Sequence, residues 1–188
     1  MAKGKNVSVP LTGQATMTIK IGTMKAQGFQ PLPDDHPCYA LIGQITSECA
    51  RIEHFLDAAI FEFVGLQSFA KRGACITGQM VGMFPRYCAL LQLALECEAP
   101  KPMVSEIKKL IQLSNGVSKR RNRAVHDAWM EDSSSGASHQ FRTKAKDNPE
   151  YGPQPVTESM LKEDLAAVRI HLERVMKLRS EIWELHRA

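Results

Sequence analysis

Apolar residues recur along most of this chain at helical rather than strand spacing. From about Tyr39 to Val64 the stripe Leu41, Ile45, Ile52, Phe55, Leu56, Ala59 and Phe63 repeats every three or four residues, which predicts a core-facing helix. Asp34 and Asp35 precede it as candidate caps, and Gly65 with the Gly73 region ends or interrupts it. A second helix is expected over Thr77 to Cys97. Pro85 should kink or split it, because proline removes a backbone donor and crowds the turn before it. Pro100 and Pro102 mark a sharp boundary. A third helix then runs from about Met103 to Ala128, with Ser105 in its first turn and Ile107, Leu110, Ile111 and Val117 as its stripe. Thr157 reads as the N-cap of a last helix to about His186, carrying Met160, Leu161, Leu165, Val168, Leu172, Val175, Ile182 and Trp183.

Two stretches break this rhythm. Residues 1–37 read as an N-terminal arm or linker. Within them Ala15 to Gly22 alternates as one short strand would, and Gly28, Pro31, Pro33 and Pro37 follow. Between the third and last helices, Ser133-Ser134-Ser135-Gly136 is a turn signal. Ala128 to Glu131 and His139 to Lys144 flank it, as a hairpin or as a mobile loop, and Asn148 to Pro155 reads as a proline-rich connection. The expected fold class is all-α. Residues 38–188 should form a bundle of four to five helices, with a small β-hairpin or loop elaboration after the third long helix.

A length of 188 residues and an apolar content of 44% suit a single domain, or one with tails. Charged or amide residues interrupt every apolar stretch short of the ~18 residues of a membrane span. No signal-peptide run follows the basic start, so a cytoplasmic protein away from membranes is expected. The five cysteines (Cys38, Cys49, Cys75, Cys88 and Cys97) are odd in number and lack Cys-x-x-Cys spacing. They read as free core thiols of a reducing compartment, and no metal or cofactor is expected. His36 and His139 are assigned to loops, and His171 and His186 to the surface of the last helix.

The formal charge of +4 permits a nucleic-acid partner without requiring one. Its distribution says more. Lys119, Arg120, Arg121 and Arg123 form the densest basic cluster, either a solvated helix face or a contact surface for RNA backbone. On a helical wheel Arg121 falls between Val117 and Val125, inside the helix's own apolar stripe. A charge there needs a carboxylate, a phosphate or water. Glu53 is the first candidate partner and Glu48 the second. Asn122 and His126 are four residues apart and share a face, so the amide can orient the imidazole.

Arg121-Asn122-x-x-x-His126, near the end of a long bundle helix, resembles the Arg-x4–6-His signature of the HEPN (higher eukaryotes and prokaryotes nucleotide-binding) family in its Arg-Asn form. Cys49-Ala50-Arg51-Ile52-Glu53-His54-Phe55-Leu56 resembles that family's early helix, which often carries a polar or acidic residue facing the motif. The similarity spans roughly residues 40 to 185. It implies a metal-independent endoribonuclease in which His126 is the base and Arg121 stabilises the phosphate, leaving a 2′,3′-cyclic end. It also implies a homodimer whose two motif helices line one cleft, bringing Lys119, Arg120 and Arg123 toward RNA.

Two other readings compete. Many HEPN-like domains are non-catalytic binding or assembly modules, such as toxin–antitoxin or phage-defence partner proteins. Arg121 would then be a structural arginine paired with Glu48 or Glu53, with His126 capping the helix and Trp129 plugging the core. In a different enzyme class, His54, His126-Asp127 and Asp164 mimic the residue order of metal-dependent HD phosphohydrolases, although the spacing from His54 is long.

Overall fold

The computed structural model describes residues 6–10, 16–20, 28–65, 70–144, 150–185 and 187. The chain divides into two compact units. One is helical, Pro37–Val125 with Ser159–Ala188; the other is built from Met1–His36 and His126–Glu158.

The helical unit carries α1 (Pro37–Phe63), α2 (Ala70–Thr77), α3 (Met83–Glu96), α4 (Lys101–His126) and α5 (Glu158–Leu185). The long periodic stretches became the four long helices. Of the two alternatives around Pro85, kink or split, the helix is split, but the break falls before the proline: α2 ends at Thr77, and α3 starts at Met83 with Pro85 in its first turn. A proline there sacrifices a donor that has no partner inside the helix anyway. Pro102 sits in the first turn of α4 for the same reason.

Ile45, Ile52 and Leu56 of α1, Tyr87 and Leu90 of α3, Ile107 and Leu110 of α4, and Val168, Val175 and Ile182 of α5 form the buried core. Arginine–carboxylate contacts tie the helices together. Arg86 of α3 reaches Asp57 of α1, and Arg179 of α5 reaches Glu62 of α1. Arg174 of α5 reaches Glu106 of α4, and Arg120 of α4 reaches Asp164 of α5. Met160 and Trp183 of the expected stripe are substantially exposed instead. Of the cysteines read as core thiols, Cys38 and Cys49 are buried and Cys88 half-buried, but Cys75 and Cys97 are exposed.

His171 overturns its surface assignment. It is only 3% exposed, and its Nε2 is hydrogen-bonded to the Tyr87 hydroxyl at 2.6 Å. Burial first, and then the Arg174 guanidinium, push its pKa down from 6.5 to about 4. Burial likewise pushes the Tyr87 phenol up, so both groups stay neutral. Below pH 6.5 the unfolded chain takes a proton that the folded imidazole refuses. Stability should therefore fall as pH drops from 6.5 toward 4, by up to about 3 kcal/mol from this group alone. Urea unfolding at pH 7.5 and pH 4.5 reads the difference, and His171→Gln should flatten it.

In the second unit, β3 (Phe29–Pro31), β4 (Ala128–Asp132), β5 (Ser138–Lys144) and β6 (Glu150–Pro155) form an antiparallel sheet in that order. Phe29 pairs with Asp132, Trp129 with Gln140, and Phe141 with Pro153. Of the two readings for the Ser-rich turn and its flanks, hairpin or loop, the hairpin is present as β4–β5, but the sheet is larger. Phe29–Pro31, within the 1–37 stretch read as an arm or linker, supplies one edge, and the stretch read as a proline-rich connection supplies the other. Pro31, Pro153 and Pro155 fit because edge strands need not donate on both sides. Asp132 turns the chain between β4 and β5, accepting from the Ser134 backbone N–H at 2.8 Å and its hydroxyl at 2.6 Å. His139, expected in a loop, lies on β5 with its ring against Phe29.

The strand expected over 15–22 appears as β2 (Thr16–Lys20), paired with β1 (Asn6–Pro10). Among the described residues no helix is long and apolar enough to cross a membrane. His186 lies outside the described residues.

Candidate functional site

Arg86 organises the part of the helical unit that faces α4. Its side chain is 9% exposed and every nitrogen of its fork is engaged. Nε donates to Asp57 Oδ1 at 2.7 Å; Nη1 donates to the carbonyls of Met80 at 2.7 Å and Gly82 at 2.8 Å; Nη2 reaches the Thr77 carbonyl at 3.4 Å. Nη1 also lies 3.4 Å from Glu53 Oε2. One guanidinium thus nails the turn between α2 and α3 onto α1. Gly82 completes the turn at φ 77 and ψ −177, backbone that side-chain-bearing residues rarely adopt. No atom lies within 4 Å of where a Cβ would sit at Gly82. Gly82→Ala should therefore cost about 1–3 kcal/mol through backbone strain and not through a clash, measurable by urea unfolding.

This rigid turn forms one wall of a cavity of about 520 Å³, lined by Glu53 of α1, Met80 to Phe84, and Ser118, Arg121 and Asn122 of α4. Val81 is 89% and Phe84 58% exposed, so the turn holds two apolar side chains out toward solvent. The first turn of α3 carries no side-chain cap, and its residues edge the same space. A larger groove of about 630 Å³ at the α3–α4 corner is lined by Ala94, Leu95, Ala99 and Val104 with Glu98, Ser105, Lys101 and Lys108, and holds none of the motif residues.

The motif residues fall as follows. Arg121 is half-buried on the cavity wall, and its Nη1 donates to Asn122 Oδ1 at 3.2 Å. Its place in the apolar stripe is explained: Val117 before it is buried, but Val125 after it is 42% exposed, so the stripe is leaving the core. Glu53, the first candidate partner, shares the cavity with Arg121 and is ion-paired with Arg86. Glu48, the second, accepts from Arg51 at 2.7 Å and from Arg169 at 3.3 Å. All three bear on one thiol. Burial pushes Cys49 up to about 12, Arg121 pulls it back, and Glu53 and Glu48 push it further.

His126 is the last residue of α4 and is exposed. Five residues separate it from Arg121, about 7.5 Å of helix rise and about 140° of rotation. Lys119 and Arg123 are exposed, whereas Arg120 donates to Asp164 Oδ1 at 2.7 Å. That contact also occupies one residue of the HD-like order. Among the described residues, no group of three or more His, Cys, Asp or Glu side chains is gathered to hold a metal.

Sequence reasoning missed Arg86, Asp57, Val81, Phe84 and Ser118. The signal available was the pair Gly78 and Gly82 around Met80-Val81, which marks a turn, but nothing local pointed to the arginine that pins it. The chain matches no protein-family model, no curated protein and no solved structure.

Proposed function

We propose that this chain is a metal-independent endoribonuclease with a HEPN-like helical bundle. The observation that carries the reading is Arg121-Asn122-x-x-x-His126 on the closing turns of α4, with Arg121 on the wall of a cavity that it shares with a carboxylate. His126 takes the proton of the RNA 2′-hydroxyl, the general-base role that imidazole most often fills. The 2′-oxygen then forms a bond to phosphorus as the bond to the 5′-oxygen breaks, and that leaving oxygen is protonated by water. Arg121 offers a permanent charge and a planar donor fork to the phosphate oxygens while negative charge builds there.

Lys119 and Arg123 would follow the RNA backbone, and a homodimer would set two motif helices side by side. Arg120 contributes less in this reading, because Asp164 already holds it. The test is cleavage of RNA in EDTA by the wild type and by Arg121→Ala and His126→Ala, with the RNA ends identified.

A further inference from the structure

We infer that the cavity between α1, the α2–α3 turn and α4 receives the base on the 5′ side of the scissile phosphate, and that it prefers guanine. The inference rests on the ribonuclease reading for its orientation, since Arg121 is where the phosphate sits. The cavity itself carries the rest. Its volume of about 520 Å³ falls in the range of small-ligand pockets, roughly 300–1,000 Å³. Its lining mixes an exposed aromatic ring with few polar groups, the composition that fixes a planar heterocycle. Phe84, 58% exposed at the rim, offers a stacking face.

Preorganisation argues for a ligand here. The buried Arg86 fork and the glycine-only backbone at Gly82 hold Val81 and Phe84 out in water, where burying them against the core would have been favourable. A fold that spends a buried guanidinium on fixing an exposed turn is shaping a binding surface.

Glu53 supplies the selectivity. An ionised carboxylate only accepts hydrogen bonds. Guanine alone among the four bases presents two adjacent donors, N1–H and the N2 amino group, to such an acceptor. Adenine, cytosine and uracil each set at least one acceptor against it. Arg86 at 3.4 Å holds Glu53 in place while leaving its side chain 32% exposed. Ser118 and Asn122 add a hydroxyl and an amide for the remaining polar edge or the ribose.

The test is equilibrium binding of the four nucleoside 3′-monophosphates to the full chain in EDTA, by calorimetry, together with mapping of cut sites in RNA. The guanosine nucleotide should bind on the order of tenfold more tightly than the other three, and cuts should fall after guanosine. Phe84→Ala, which removes a largely exposed ring, should weaken all four by about tenfold. Glu53→Gln, verified as folded, should bring the guanosine nucleotide level with the others. Equal binding of all four, or unchanged binding by Phe84→Ala, overturns the base site even if RNA is cut. Guanosine-selective binding without any cleavage would leave this site standing and remove the ribonuclease reading.

Discussion

Replacing His126 or Arg121 with alanine is expected to abolish RNA cleavage while leaving the bundle folded. A positioned general base contributes typically about 10²- to 10⁴-fold to such a step. Loss of one donor to the developing phosphate charge costs about 10²- to 10³-fold. His126 is exposed at the end of α4, and Arg121 is half-buried on the cavity wall and not among the fully buried side chains. Melting temperatures of the variants should therefore stay close to wild type.

The chemistry separates the two roles further. Arg121→Lys keeps the charge but not the planar fork, so it should recover only part of the rate. Products should end in 2′,3′-cyclic phosphate, and EDTA should not slow the reaction. An inert wild type, with Arg121→Ala losing fold or self-association, would make the motif structural and favour the non-catalytic assembly module. Dependence on a divalent metal would bring back the HD-like reading.

Arg86→Met should strongly destabilise the helical unit. The substitution keeps bulk and removes a charge that is 9% exposed and shared among two carboxylates and three carbonyls. Asp57 would be left without its cation, at 20% side-chain exposure, beside carbonyls that have lost their donor. Breaking a buried ion pair from one side costs about 3–5 kcal/mol, because the surviving charge stays desolvated. Urea unfolding should show the loss. The double variant Arg86→Met with Asp57→Asn should recover part of it, since the stranded charge is gone. A loss below about 1 kcal/mol would mean that water replaces the fork and that the α2–α3 turn does not depend on it.

α1 and α5 were legible because their stripes repeat over many turns, and one face of each then has to be buried. His171 was legible too, though read wrongly. It stands three residues after Val168 and four before Val175, inside the buried stripe, but its polar ring suggested the surface. Tyr87 of α3, eighty-four positions earlier, makes that burial tolerable through a 2.6 Å hydrogen bond.

The sheet was half legible. The Ser-rich turn and its flanks allowed the β4–β5 hairpin but left a loop equally open. Its outer strands were hidden because prolines argue against a strand until one knows that the strand lies at an edge. β3 pairs with β4 across about a hundred residues of intervening helix, and no local pattern encodes such a partner.

For the site, sequence placed Arg121, Asn122 and His126 on one helix and put Glu53 on another, since helical phase follows from residue number alone. It also assigned most of the chain to helices, because amphipathic periodicity is a property of neighbouring residues. The tertiary fold decided that Glu53 and Arg121 share a cavity, that Arg86 pins its far wall, and that Asp164 takes Arg120. These depend on side chains brought together from different helices. Which carboxylate meets which guanidinium is set by packing of the whole bundle, and spacing along the chain carries no record of it.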